Sequence, residues 1–389
     1  MDLELTEDQR ELKSTVARLL KSEYDAATRE EILNSDAGWS REKWETFAEL
    51  GLLGLPFSED YEGADMGFAE VAVVMEEFGR ALVLEPYLST VVLGGGLVNA
   101  AGTDAQKAEI LPGVVAGETL LAFAGYEPTG RYDLTSPATS ATEAGDGHTL
   151  TGEKTAVLGA ADADTFVVSA AADGGVGLFL VAADASGVSV SCRTQADGVR
   201  TGSVRFDGAP AVRLGSGDAS AIIEKVIDTA NAALAAEAVG AMEASLQMTA
   251  EYLKTREQFG APIGVNQALQ HRAADAYATL EGAKSMALYA KLAIAGEEAA
   301  AASGEGAVDS KSRHRDVLAA KLVIDNAARE ISQESIQMHG GIGMTMEYPI
   351  GHYAKRLTVI TKTFDDKDEV AQALAAQGGL LEPHAADLA

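Results

Sequence analysis

A single cysteine, Cys192, excludes an intrachain disulfide, and no Cys or His stands at metal-ligand spacing from it. The reading this gives is a reduced, cytoplasmic setting, with Cys192 as a small buried apolar residue. Basic residues are also scarce: 30 Lys and Arg face 59 Asp and Glu, a formal net charge of −29. A field of that sign repels nucleic-acid phosphates and anionic membranes on average, so neither is an expected partner. An anionic ligand would need local basic groups inside this field, for which Arg256, Lys355 and Arg356 are candidates. No run reaches the roughly 18 uninterrupted apolar residues of a membrane helix. The N-terminus, MDLELTEDQRELKSTVARLLKSE, is charged where a signal peptide would be apolar. The histidines at 148, 271, 314, 339, 352 and 384 show neither HExxH spacing nor a triad, so no residue is put forward as a metal ligand and hydrolytic chemistry is not expected.

What is present falls into three regions. At 389 residues and 47% hydrophobic, the chain is long enough for two or three domains. In the first, residues 1–118, Thr6 and Gln9 form a capping box, and Leu12, Val16, Leu19 and Leu20 recur at helical spacing. Ser40 precedes a second helix on which Trp44, Phe47 and Leu50 line up, GFAEVAVVMEEFGRAL reads as a third, and YLSTVVLGGGLVNAAG reads as core helix. Between 119 and 217 the pattern changes to short β-branched and aromatic runs between Gly, Asp and Ser turns. HTLTGEKTAVLG, DTFVVSA, VGLFLVAA, GVSVSCRT and GSVRFDG each fit a strand, which predicts a small antiparallel barrel or sandwich. Residues 218–375 return to long apolar helices of bundle type, with a small, flexible linker EEAAAASGEGAVDS and a further helix after Pro349; 376–389 read as a tail. The fold class is α+β: helical domain, β-barrel or sandwich, C-terminal four-helix bundle.

Two blocks carry the chemistry: TREQFGAPIG at 255–264 with Gln267 beyond it, and QMHGGIGMTMEYPIGHYAKR at 337–356. An Arg at a helix end can clamp a diphosphate through its planar fork, and a neighbouring aromatic offers a face to adenine. Arg256 and Phe259 have that relation. Gly340, Gly341 and Gly343 allow close backbone approach to a ligand. Each feature alone is better explained as a helix connection or surface packing, and it is their joint pattern that points to a cofactor site. GGIGMT is not a Rossmann fingerprint, because it follows a helix and the pattern is incomplete. Met338, Met344 and Met346 are expected to pack in the core, and the acidic runs at 297–305 and 365–369 to be solvated surface.

Together with LGLLGLPFSEDYEG, EEFGRAL, KAEILPGVVAGE and GEKTAVLGAADADTFVVSA, in this order and spacing, the two blocks resemble the acyl-CoA dehydrogenase family over nearly the whole chain. EKWETFAELGLLGLP, HRAADAYATLEGAKSM and HYAKRLTVI further look like the small or β-type subunits of bacterial hetero-oligomeric (α2β2) members. The resemblance implies FAD as cofactor and α,β-dehydrogenation of an acyl-CoA thioester to a 2-enoyl-CoA, as in the β-oxidation of fatty acids or of steroid side chains. It also implies an electron-transfer flavoprotein as electron acceptor. Arg256, Phe259, Gln267, Gln337, Gly340 and Gly341 are then the residues that reach the FAD of a neighbouring subunit.

The chain departs from the family where its own flavin would be served. The usual base position falls on Phe364, and the run that touches the flavin becomes Phe364-Asp365-Asp366. The alternative base position falls on Ala230, beside Asn231. The Trp and Thr that cover the flavin correspond to Ala156 and Leu158, and a loop Thr to Tyr126. The expected function is therefore a subunit that completes the FAD site of a larger, catalytic homologue. Two alternatives stand beside it. One is a self-sufficient homomeric enzyme using Glu237, two turns beyond Ala230, as relocated base; the other is a flavin-free scaffold. For Glu237 the plainer reading is an interhelical contact, and for Asp365 a solvated loop.

Overall fold

The structure, a computed structural model, describes residues 4–145, 147–303, 310–345 and 347–377. Contacts divide the chain into two compact units, Met1–Ala241 and Met242–Ala389.

The first unit opens with helices α1 (Glu7–Glu23), α2 (Ala26–Leu33), α3 (Arg41–Glu49), α4 (Phe68–Ala81), α5 (Gly96–Ala101) and α6 (Asp104–Val115). Helix α1 starts at the expected capping box: Gln9 N–H donates to Thr6 Oγ1 at 3.2 Å and Thr6 N–H to Gln9 Oε1 at 3.1 Å. Ser40 caps α3, and Trp44 and Phe47 are buried. Leu50 departs from the expected stripe, because it lies past the last turn and is 45% exposed. The glycine-interrupted run 88–101 is helical; its first eight residues are wound as a π-helix that is buried from Ser89 to Gly95, and Leu97 and Val98 are buried beyond it.

Seven strands follow: β1 (Leu121–Ala124), β2 (Ser140–Ala144), β3 (Gly147–Leu158), β4 (Thr165–Ala172), β5 (Gly175–Ala182), β6 (Val188–Thr194) and β7 (Arg200–Leu214). Their order is β1-β4-β2-β3-β7-β5, and β5 returns to pair with β4, so the path closes into a barrel. The expected antiparallel pattern holds for most pairs, but β1 and β2 run parallel to β4. Phe166, Phe179, Phe206 and Leu150 fill the interior. The barrel also buries an ion pair, Lys154 with Glu127. Lys154 is fully buried and its Nζ donates to Glu127 Oε1 at 2.8 Å, Gly125 O at 2.9 Å and Ser169 Oγ at 3.3 Å. Burial alone would raise the Glu127 carboxyl. Hydrogen bonds from Lys154, Thr139 and the Ala138 N–H outweigh it and hold the group at about 2. Cys192 is exposed, contrary to expectation: among the described residues β6 pairs only with β7, and six of its seven residues are exposed.

Helix α7 (Ser220–Thr255) carries Ala230, Asn231 and Glu237, all buried. Within the first unit α4 crosses it at van der Waals contact of backbones. A Cβ on Gly79 would stand 1.9 Å from Glu237 O, and one on Gly240 would stand 1.8 Å from Glu76 O. Only glycine permits this crossing, and it seats Glu237 against α4 with 4% exposure.

In the second unit the end of α7 runs into strands β8 (Glu257–Gln258) and β9 (Ala261–Pro262), then α8 (Gln267–Ser303), α9 (Ser310–His339), α10 (Ile350–Ile360) and α11 (Lys367–Gln377). Helices α8, α10 and α11 all pack on α9. Helix α8 continues through Ser303, so the expected linker is helical in its first half; residues 304–309 lie outside the described residues, as do Met346, His384 and the tail beyond Gln377. Among the described residues no helix is long and apolar enough to cross a membrane.

Candidate functional site

The block at 255–264 is a hairpin. Glu257 pairs with Pro262 and Gln258 with Ala261, leaving Phe259 and Gly260 as a two-residue loop with φ of +54° and +83°. Positive φ at both central positions is the type I′ turn, whose twist suits the flanking strands. Glycine adopts it freely; a Phe does so at a cost of about 1–2 kcal/mol. Its ring gains no burial in return, since Phe259 is fully exposed at 106% of its reference area. Neither packing nor burial in the described residues offsets this strain. Arg256 anchors the hairpin by its backbone, donating to Tyr252 O at 2.8 Å and accepting from Ile263 N–H at 2.8 Å. Its guanidinium is exposed and has no partner among the described residues.

Gln267 is the first residue of α8 and Gln337 lies in the last turn of α9; both are exposed. Arg272 pairs with Glu334, and Thr279 donates to Glu330 at 3.0 Å. These contacts fix an antiparallel register in which the start of α8 lies level with the end of α9. Helix α9 closes at His339, and Gly340 follows with φ +66°, the left-handed C′ position that glycine favours. A Cβ on Gly340 or Gly341 would meet nothing within 4 Å, so this turn is open on its outer side. His339 stacks on Tyr252 at 4.5 Å, joining the end of α7 to the end of α9. The structure thus brings the Arg256 hairpin, Gln267, Gln337 and the glycine turn to one end of the second unit.

The position of the usual base is different in kind. Phe364 is 7% exposed and adopts φ +69°. Asp366 is committed to capping α11, accepting from Asp368 N–H at 3.0 Å and Glu369 N–H at 3.2 Å. Asp365 corrects the expectation of a solvated loop: burial pushes its carboxyl up to about 6, against the pull of Lys321. A second raised carboxyl, Asp325, escaped the sequence reading. Burial also takes it to about 6, its ion pair with Lys321 at 3.3 Å opposing, and it lines a cavity of about 310 Å³ between α9, α10 and the start of α11. Met338 is buried as expected, but Met344 is 76% exposed beside the glycine turn.

In the first unit, Ala156 is exposed at an irregularity of β3 with φ +53°. The Asn231 side chain is 4% exposed and has no hydrogen-bond partner among the described residues. No carboxylate stands at either usual base position, Ala230 or Phe364.

Helices, barrel and helices in this order are the domain order of the acyl-CoA dehydrogenase fold, a class of flavin-dependent dehydrogenases, and comparison with known proteins agrees. The family models for the acyl-CoA dehydrogenase N-terminal, middle and C-terminal domains match residues 6–118, 122–209 and 220–371. The chain belongs to the acyl-CoA dehydrogenase family. It is 30% identical to acyl-CoA dehydrogenase IpdE2 of Mycobacterium tuberculosis, over 95% of this chain and 97% of that protein. It is 28% identical to acyl-CoA dehydrogenase FadE27 of the same organism, over 91% and 92%. Among solved structures, the ChsE4-ChsE5 complex of M. tuberculosis matches with a TM-score of 0.88 and 26% identity over 99% of this chain and 100% of that one. A variant of the Tcur3481-Tcur3483 steroid ACAD matches at 0.82 and 32%, over 95% and 97%.

FAD is the cofactor that family membership assigns. The residues present fit it. The unpartnered Arg256 guanidinium and the exposed Phe259 ring suit a diphosphate and an adenine, and the open Gly340-Gly341 turn admits close backbone approach.

Proposed function

We propose that this chain is the small subunit of a hetero-oligomeric, FAD-dependent acyl-CoA dehydrogenase, and that it completes the FAD site of a larger catalytic homologue. One observation carries the reading: every residue suited to gripping FAD lies outward on the second unit, while both positions that should hold a base are buried and apolar. Arg256 clamps the diphosphate, Phe259 faces the adenine, and Gln267, Gln337 and the amides of Gly340 and Gly341 hydrogen-bond around them. FAD, when bound, supplies acceptance of the hydride from the acyl β-carbon. Removal of the α-proton needs a carboxylate in a dry site, and in this reading the partner provides it. Electrons leave to an electron-transfer flavoprotein, and the setting is cytoplasmic. Similarity to a steroid ACAD supports a bulky acyl-CoA, such as a steroid side-chain thioester, as substrate.

The test is Arg256→Ala in the chain co-purified with its partner. Loss of one charge-assisted clamp should weaken FAD retention by about tenfold or more. Unchanged retention would remove the reading.

A self-sufficient enzyme is the second reading, and Asp365 favours it. Its carboxyl, raised to about 6 by burial, adjoins Phe364 and has the character a general base requires. Glu237 is the weaker alternative, because it is seated at the glycine crossing against α4.

A further inference from the structure

Tyr252, His339 and Tyr348 are far apart in sequence yet meet ring to ring. The Tyr252 and His339 centroids are 4.5 Å apart with planes at 24°. Tyr348 closes the group, 5.0 Å from His339 and 6.0 Å from Tyr252. Each ring belongs to a different part of the site. Tyr252 stands one turn before Arg256 and accepts its N–H through the backbone. His339 is the last residue of α9, two beyond Gln337 and immediately before Gly340. Tyr348 precedes Pro349, where α10 begins.

His339 is 3% exposed, and its Nδ1 lies 2.7 Å from Ser335 O. A carbonyl can only accept, so the proton resides on Nδ1 and Nε2 is a bare acceptor. That Nε2 is buried and has no hydrogen-bond partner among the described residues. The ring is therefore held by stacking and one bond to its own helix. The groups that face it are the phenols of Tyr252 on α7 and Tyr348 before α10, and the Ser335 carbonyl on α9.

We propose that His339 is a positioning residue of the cofactor grip: its stack ties the Arg256 hairpin to the glycine turn, so that the guanidinium and the Gly340-Gly341 amides present one surface to the nucleotide. The inference rests on the cofactor-gripping role proposed above. His339 does not itself touch the cofactor. Protonation would put an N–H on Nε2 with no acceptor to receive it. Burial lowers the His339 pKa from its ordinary 6.5, the Ser335 bond opposing. With the folded value depressed, the clamp is intact above the unfolded pKa and is lost as pH falls through the folded one.

The experiment compares wild type, His339→Phe, His339→Ala and Arg256→Ala. FAD retained by the purified complex is measured after dilution between about pH 5 and 8. In the flavin-free full chain, the rate of tryptic cleavage after Arg256 is followed over the same range. His339→Phe keeps a ring in the stack but cannot titrate, so it should hold FAD across the range while wild type releases it as pH falls. His339→Ala should release FAD about tenfold more readily at every pH, the worth of an aromatic pair, and should be cut several-fold faster after Arg256. A merely structural role would lower stability and leave the pH profile of His339→Phe like that of wild type, which would overturn the proposal. So would His339→Ala with wild-type retention and cleavage. If Arg256→Ala also retains FAD, the grip itself is wrong. If Arg256→Ala releases FAD and His339→Ala does not, only the positioning role is wrong.

Discussion

Replacing Phe259 by glycine separates what the hairpin tip does for folding from what it does for binding. The Phe259 backbone sits at φ +54°, and its side chain is fully exposed. Glycine relieves about 1–2 kcal/mol of left-handed strain. It also adds about 0.5–1 kcal/mol of unfolded-state freedom. No buried area is lost, so the net effect on stability should lie between zero and about 1.5 kcal/mol in favour of the variant. Binding should move the other way. Loss of a ring stacked on a base is worth about 1–3 kcal/mol, or about 5- to 150-fold in FAD retention. Paired urea melts and flavin-release measurements on the co-purified complex read both quantities. Destabilisation by more than about 1 kcal/mol, or retention equal to wild type, would refute the assignment of Phe259 as a strained ligand-facing residue.

In the barrel, Lys154→Met leaves Glu127 a buried carboxylate without its cation and should cost about 3–5 kcal/mol; a melt within experimental error of wild type would contradict that. Because the Glu127 carboxyl is held at about 2, below its ordinary 4.5, its contribution to stability is present above the unfolded value. Acid titration of the melt should show that contribution lost between those limits in wild type and absent in Glu127→Gln. Gly240→Ala forces the α4–α7 backbones apart and should lower stability by about 3 kcal/mol or more, where an ordinary helix Gly→Ala would raise it. Asp365→Asn should leave turnover of the complex within about threefold; a loss of about a hundredfold or more would favour the self-sufficient enzyme.

Much of this architecture is legible in the sequence because it is set by short-range rules. Thr6-x-x-Gln9 and Ser40 fix two helix starts, and the change from 3.6 to 2.0 periodicity marks the barrel. The hairpin at 257–262 is not legible in the sequence, because its strands are only two residues long, Glu257-Gln258 and Ala261-Pro262, too short to show a period. The misses have physical causes. Strand β1 is four residues and β2 is exposed and polar, so neither shows alternation. Cys192 lies in an alternating run, VSVSC, but on an edge strand that buries neither face. The alanine-rich end of α8 lacks an apolar stripe, yet alanine is the best helix former, and composition that resembled a linker is helix. Burial of Asp325 and Asp365 depends on how α9, α10 and α11 pack, which no local pattern reports. For His339 there was a signal: Tyr252 stands just before the first cofactor block, and His339 and Tyr348 lie within the second. Only the fold shows that they touch.

The absorbance spectrum of the purified full-length chain, alone and co-purified with its larger homologue, tests the central claim most directly. The account predicts a colourless, inactive chain alone and a yellow complex with FAD that is lost on Arg256→Ala. A lone chain carrying a full complement of FAD and oxidising acyl-CoA would contradict it.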